Sequence, residues 1–209
     1  MPRLVVLAAL AMLAAGFEPA QRTAGSIPAL PANPAGWTQA AFELEVSDAG
    51  AVAHVTALAA TPGTVDQLKA SLEDWRFRPA LGPAGASSVP VASHVSVTVI
   101  FRPPQLYNGP ALGTPPAPIE KAADDTPVAT HTPVPAYPVN SYANGVVVVE
   151  MLVDPNGRVT RARAVAGQPP FTSLSVTSAK SWTFRPAKHA GVAVPSYAYA
   201  IFGFMRPVV

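Results

Sequence analysis

A six-residue segment that occurs twice constrains this chain more than any other feature. It reads Trp-Arg-Phe-Arg-Pro-Ala at 75–80 and Trp-Thr-Phe-Arg-Pro-Ala at 182–187. The residue numbers of the two copies differ by a constant 182 − 75 = 107, which we call the repeat offset. The same offset relates three earlier pairs of identical residues: Gly50 and Gly157, Val52 and Val159, Pro62 and Pro169. An ungapped match over roughly 30 residues indicates a duplicated structural unit.

The aromatic residues of this hexapeptide are predicted to fill a hydrophobic core. Trp and Phe alternate with polar residues, so both rings lie on one face of an extended segment, and the proline that follows ends any preceding helix. We therefore assign the rings and prolines a structural role without chemistry. The residues concerned are Trp75, Phe77, Pro79, Trp182, Phe184 and Pro186.

The segment 1–20 has the layout of a secretory signal peptide. A positive head at 1–3 precedes an uncharged apolar run at 4–17. As a helix this run would span about 21 Å at ~1.5 Å per residue, less than the ~30 Å hydrocarbon core, although a membrane anchor remains the alternative. We expect export to the periplasm with cleavage. The absence of cysteine excludes a lipoprotein anchor, disulfides and thiolate metal sites.

Proline marks the expected domain boundaries. The chain contains 25 prolines in 209 residues, more than twice the usual share of about 5%. The proline-rich stretches at 21–36 and 104–133 are typical of linkers. They delimit two small domains, at 37–103 and 134–209.

Hydrophobic periodicity predicts the same elements in both domains. In the second, strands at 145–154 and 158–165 flank a turn, a helix of about a dozen residues runs from Pro169-Pro170 to Trp182, and a last strand covers 195–205. The predicted fold class is α+β, with two tandem β-β-α-β units, each a small antiparallel sheet with a helix on one face, joined by a proline-rich linker. A right-handed crossover gives strand order 2-1-3, so the second and third strands are outer strands.

The second unit also carries a series of short motifs at specific spacing. They are Pro135-Ala136-Tyr137-Pro138, Gly145 before a valine-rich strand, Val153-Asp154, Gly157-Arg158-Val159, Gly167, the hexapeptide, and Val192 to Pro195. Together they resemble the TonB C-terminal domain family over residues 135–207. Residues 37–103 resemble a second, degenerate copy that lacks the Tyr137-Pro138 pair.

The resemblance implies a periplasmic binding module that, in energy transducers, takes an extended receptor peptide onto its sheet. Those transducers keep an N-terminal membrane helix that couples to a proton-driven motor, and the run at 4–17 is shorter than such a helix. Two hypotheses stay open. The chain either captures a peptide of an outer-membrane receptor in energy-coupled transport, or is a soluble periplasmic adaptor or structural protein without motor coupling.

We expect the partner to add to the strand at 196–205, because this strand closes the predicted sheet and is unusually apolar. The candidate partner-binding residues are Tyr197, Tyr199, Ile201, Phe202 and Phe204. The alternative is that the first domain, or a second copy of the chain through self-association of outer strands, covers this strand.

A second candidate surface is basic. Residues 134–209 contain seven Lys and Arg against two acids, whereas 37–103 contain four against six. Arg158, Arg161 and Arg163 on the second strand could steer an acidic peptide, and the alternative is an ordinary solvated strand face.

Catalytic, metal and nucleic-acid sites are not expected. Histidines 54, 94, 131 and 189 show no i,i+4 pair and no neighbouring acid in the sequence. The chain has no nucleophile elbow and no phosphate-binding loop. We therefore expect no enzyme, no cofactor, no small-molecule substrate and, since stacking aromatics do not accompany the arginines, no nucleic-acid partner.

Overall fold

The computed structural model describes residues 16–29, 38–61, 63–84, 87–102, 118–138 and 140–206. Most of the expected signal peptide (1–15) and parts of both expected linkers (30–36 and 104–117) lie outside these residues.

The described residues form two helices and fourteen strands. Those of the first half are β1 (Gln21–Ala24), β2 (Thr38–Val46), β3 (Val52–Ala60), α1 (Val65–Glu73), β4 (Arg76–Arg78), β5 (Ala80–Ala84), β6 (Ser87–Val91) and β7 (Ser93–Arg102). Those of the second half are β8 (Val128–His131), β9 (Gly145–Val153), β10 (Val159–Ala166), α2 (Phe171–Ala179), β11 (Thr183–Arg185), β12 (Lys188–His189), β13 (Val192–Ala193) and β14 (Ser196–Phe204). The α+β class is confirmed, with short strands added between each helix and its last long strand.

The long strands of both halves join one six-stranded sheet, in the order β10-β9-β14-β7-β2-β3. Within each half the pairs are antiparallel and the order reads 2-1-3, as predicted. The two last strands then pair with each other in parallel, with Ala198 opposite Ser96 and Phe202 opposite Ile100. The expectation of two separate small sheets is therefore wrong.

The two helices cover opposite faces of this sheet. Side chains of β14 alternate between two hydrophobic clusters, because successive residues of a strand point to opposite faces. Tyr197, Tyr199 and Ile201 join the cluster that contains Leu68 and Leu72 of α1. Ala198, Ala200, Phe202 and Phe204 join the cluster that contains Phe171 and Ala179 of α2. Every residue of β14 is buried, which fits a strand covered on both faces.

Helix α2 is shorter than predicted. It comprises nine residues and begins after the cis peptide bond between Pro169 and Pro170. The residues that it buries are Phe171, Ser175 and Ala179. Ser175 is tolerated inside because its hydroxyl donates to the carbonyl oxygen of Phe171 at 2.9 Å.

Parts of both predicted linkers belong to the fold. Strand β1 pairs with β4, which places Gln21 opposite Arg78, and β8 pairs with β11, which places Val128 opposite Arg185. The two pairs are related to each other by the repeat offset. The repeated pattern of contacts therefore extends into the stretches that proline content alone had marked as linkers.

Candidate functional site

Each hexapeptide is tied to the hairpin turn of its own half. The backbone N–H of Phe77 donates to the carbonyl of Gly50, and that of Phe184 donates to the carbonyl of Gly157, both at 2.8 Å. The glycines have φ values of 79° and 78°. A Cβ added there would lie 2.0 Å and 1.9 Å from the same phenylalanine's carbonyl oxygen. Conformation and space both require glycine at these turns.

The tryptophans of the hexapeptides are core residues with matched partners. Trp75 Nε1 donates to the Ser26 carbonyl at 2.8 Å, and Trp182 Nε1 donates to the Pro133 carbonyl at 2.9 Å. Both indoles meet a ring of β14 edge to face, at centroid distances of 5.5 Å and 5.6 Å. These contacts fix the segments that precede each half's first long strand. Pro79 and Pro186 follow the rings and are half-buried.

The Tyr137-Pro138 pair anchors the chain before β9. The Tyr137 ring packs against Phe171 at a centroid distance of 5.9 Å, and its hydroxyl donates to the Ala143 carbonyl at 2.6 Å. Pro138 is half-buried beside it. This pair therefore has a structural role under helix α2.

The candidate residues on β14 are not on an outer strand. Ser196 to Phe204 pair with β9 along their whole length, and Ala198 to Phe204 pair with β7 on the other side. The prediction that a peptide adds to this strand is wrong, because β7 already occupies that place. The candidate side chains are all buried: Tyr197, Tyr199, Ile201, Phe202 and Phe204.

Arg161 and Arg163 lie on β10, which in the part of the chain that the structure describes is an outer strand of the sheet and pairs only with β9. Arg161 and Arg163 are exposed on the face that α1 covers in the first half, and Arg161 Nη2 donates to the Tyr197 hydroxyl at 2.7 Å. Ala162 and Ala164 point to the other face, where they pack against the cluster of α2. Arg158 is exposed just before the strand.

A buried carboxylate joins β10 to the first half. Glu150 is 1% exposed, and its Oε1 accepts hydrogen bonds from Arg163 Nε at 2.8 Å and Gln21 Nε2 at 3.1 Å. Its Oε2 accepts from the Tyr199 hydroxyl at 3.2 Å. A buried charge is tolerated when it is paired and hydrogen-bonded in this way.

The electrostatics of this cluster favour fixed protonation states. The hydrogen bond to Glu150 raises the pKa of Arg163, and burial raises the pKa of Tyr199 well above its ordinary value. Burial lowers the pKa of Arg22, whose guanidinium lies 4.3 Å above the Trp75 ring and whose backbone N–H donates to the Tyr199 hydroxyl. These raised pKa values keep Arg163 charged and Tyr199 neutral near pH 7.

Sequence reasoning missed the equivalent carboxylate of the first half. Glu43 precedes Glu150 by the repeat offset and is 9% exposed. Its Oε2 accepts from the Ala123 N–H at 2.8 Å and from the Thr126 hydroxyl, in a segment that we call the strap (118–127). The recurrence of glutamate at one position of two apolar strands was the available signal.

The strap crosses the first half of the sheet on the face opposite α1. Together with β2, β3, β7 and β8 it lines an open pocket of about 410 Å³. Asp125 of the strap pairs with His94, with Oδ1 and Nδ1 2.8 Å apart. The sequence shows no acid near His94, because this partner lies 31 residues away.

Two negative observations apply to the described residues. They contain no cluster of three His, Asp or Glu side chains suited to a metal ion. Neither of their two helices has the length and apolar character required to cross a bilayer.

Comparison with known proteins identifies one family. Residues 133–204, about a third of the chain, match the family described as Gram-negative bacterial TonB protein C-terminal. The match spans Tyr137, β9, β10, α2 and β14. It does not include the first half, so the resemblance of residues 37–103 to a second copy stays a prediction. No curated protein matches the chain.

Proposed function

We propose that this chain is a periplasmic protein-interaction module that takes an extended peptide onto the outer strand β10. The family match of residues 133–204 supports a TonB-like interaction domain. The partner that this resemblance suggests is an outer-membrane receptor. We further propose that the module binds rather than catalyses and that it is exported with removal of its signal peptide.

The observation that carries this proposal is the position of β10 at one end of the sheet. Alternate N–H and C=O groups of an outer strand point away from the sheet and can pair with an added strand. The last strand of the half, β14, offers no such groups because β7 pairs with it. The added peptide therefore has to use β10 if it joins this half of the sheet.

The other outer strand, β3, is less accessible. The Leu58 carbonyl already accepts from the backbone N–H groups of Ile119 and Glu120, and Ala59 bridges to Pro118. The strap thus covers one end of β3. In the described residues no comparable segment pairs with the free side of β10. The bridge of Arg158 to Thr183 lies just before the strand and has its counterpart in the first half, where Ala51 bridges to Arg76.

Site-specific photo-crosslinking tests the proposal in the full chain. A benzophenone side chain replaces Thr160, which is exposed on β10, and separately Ala53, which is exposed at the equivalent position of β3. After irradiation of living cells we expect a discrete crosslinked partner from position 160 and none from position 53. Equal crosslinking from both positions, or none from position 160, would overturn the proposal.

Export is tested separately by the intact mass of the protein in a periplasmic extract. The mass should lack roughly the first 16 to 24 residues. A full-length species that resists carbonate extraction from the membrane would contradict it.

A further inference from the structure

We propose that β10 selects extended peptides whose acidic side chains occupy every second position. The inference rests on the proposed function, since it names the chemistry of the partner at the same strand. It is carried by the arrangement of arginines and alanines along β10 and by the charges around them.

The charge of Arg161 is not balanced by an acid. Its Nη2 donates to the hydroxyl of Tyr197, and the described residues show no carboxylate within ion-pairing distance of it. Arg163 is matched by Glu150 through one N–H, and Arg158 lies near Asp154, whose pKa is lowered chiefly by the backbone N–H of Arg158. β10 therefore presents a cationic face whose centre is Arg161.

The guanidinium groups keep donors for a ligand. A guanidinium carries five N–H groups that match a carboxylate in a two-point contact. Arg161 and Arg163 each direct one of these groups towards the sheet, to Tyr197 and Glu150. Part of the fork on each side chain remains for a carboxylate that approaches from the open side of β10.

The two faces of β10 dictate the alternation of the peptide. Side chains of an added strand lie beside those of β10, with opposed Cβ atoms about 4.5–5.5 Å apart. On one face the neighbours are Arg161 and Arg163. On the other they are Ala162 and Ala164, which are half-buried beside helix α2. Acidic residues suit the first face and small apolar residues the second, so the preferred sequence alternates between them.

The same arginines disfavour a second copy of this chain as the occupant. If two β10 strands paired with each other, Arg161 and Arg163 would lie beside the arginines of the other copy. Like charges in such positions destabilise the pair, and charged side chains on outer strands are a known protection against self-association. The arginines attract an acidic peptide, whereas they repel a second copy of this chain.

The equivalent positions of β3 provide an internal contrast. The residues that precede Arg161 and Arg163 by the repeat offset are His54 and Thr56, so the first half lacks both fixed charges. A selection based on charge should therefore be a property of β10 alone.

Fluorescence anisotropy with defined peptides tests the inference on the full chain. The probe is a labelled heptapeptide of alternating valine and aspartate. The comparison peptides are alternating valine and lysine, alternating valine and serine, and a peptide of the first composition with its aspartates consecutive. We expect the alternating acidic peptide to bind about tenfold more tightly than each of the other three.

Variants locate the effect. Arg161→Glu should weaken binding of the valine–aspartate peptide about tenfold and strengthen binding of the valine–lysine peptide. The matched variant His54→Glu on β3 should leave both affinities unchanged. Urea unfolding is used to check that both variants remain folded. Arg161→Gln should bind the valine–aspartate peptide with an affinity between those of the wild type and Arg161→Glu, because it removes the attraction without adding a repulsion.

Failure of the inference can be told from failure of the proposed function. If all four peptides bind equally, or if Arg161→Glu has no effect, charge selection is overturned while strand addition stands. If no peptide binds, charge selection is likewise overturned, and the crosslinking at position 160 then decides separately whether strand addition holds.

Discussion

At the scale of single residues, the two halves repeat one detail with high fidelity. Gly50 and Gly157 adopt nearly the same positive φ and accept the same hydrogen bond from the hexapeptide phenylalanine. Gly191 also has a positive φ, of 80°, but an added Cβ would meet nothing within 4 Å. All three glycines have a backbone conformation that is unfavourable for other residues, but only at Gly50 and Gly157 would a side chain also overlap a neighbouring atom.

Alanine substitutions should reveal this difference. Gly191→Ala is expected to lower the free energy of unfolding by about 1 kcal/mol, the cost of a left-handed conformation for an L-residue. Gly157→Ala and Gly50→Ala should each cost about 3 kcal/mol or more, because the Cβ also overlaps a carbonyl oxygen. Urea unfolding of the three variants measures the difference, and equal losses at all three positions would contradict the steric argument.

The pair of His94 and Asp125 makes stability depend on pH. The hydrogen bond to Asp125 raises the pKa of His94, with help from the charges of Asp125, Glu43 and Glu45 against burial. For Asp125 burial is the largest influence and opposes ionisation, yet its bonds to His94 together lower its pKa. His94 therefore stabilises the fold at low pH and loses this effect as pH rises through its raised pKa. Asp125 stabilises at high pH and loses its effect as pH falls through its lowered pKa.

The ion pair should consequently contribute most between these two pKa values. We expect the urea midpoint of the wild-type chain to fall as pH rises above the raised pKa of His94. His94→Gln should flatten this alkaline limb, because the group that loses its proton is gone. His54→Gln, at an exposed position of β3, is the control and should retain the limb. An unchanged limb in His94→Gln would show that another group causes it.

At the scale of secondary-structure elements, the central fact is the position of β14. The long strands and the helices could be predicted from the sequence because they depend on local hydrophobic pattern. The order 2-1-3 could be predicted because the right-handed crossover rule limits the topology. The pairing of β14 with β7 could not be predicted, because pairing between strands of the two halves leaves no local signal in the sequence. The apolar character of β14 suggests an uncovered surface, but it equally fits a strand in the middle of a sheet.

The candidate site was predictable only in part. The charge of the arginines on β10 and their alternation with alanines are visible in the sequence. The partners of those arginines are not, because Glu150 and Tyr197 reach them through pairing across strands. The contribution of Gln21 was hidden further by its place in a stretch that composition marked as a linker.

Amide hydrogen exchange should distinguish the two strands. The segment Ala198–Phe204 is paired with strands on both sides, so we expect its amides to be among the slowest to exchange in the chain. In β10, amides that point away from β9 should exchange much faster. Mass spectrometry of exchanged peptides measures both sets, and equal rates would contradict a central β14.

At the scale of the whole molecule, the two halves complete each other. β1 of the first half supplies Gln21 to Glu150, and the strap ahead of β8 supplies Thr126 to Glu43. Trp75 of the first half packs on Tyr199 of the second. Each half therefore contributes hydrogen bonds to the buried carboxylate of the other.

This mutual dependence predicts cooperative unfolding. Leu72→Ala in α1 removes a fully buried side chain and should cost about 2–5 kcal/mol. Differential scanning calorimetry should show one transition, which moves to lower temperature as a whole. Phe171→Leu in α2 should lower the same transition. Two separate transitions, of which only one responds to each variant, would instead show that the halves unfold independently.

The parallel pairing of β7 with β14 also has a consequence for how the chain is made. Its partners, such as Ser96 and Ala198, are far apart in sequence. While a ribosome is still adding residues 103–195, β7 has no β14 to pair with, and its apolar side chains lack one neighbour. Contacts of such long sequence separation form slowly, because loop closure precedes any gain. The sheet can thus be completed only after the last strand has been synthesised, and until then β7 is the strand most in need of protection from aggregation.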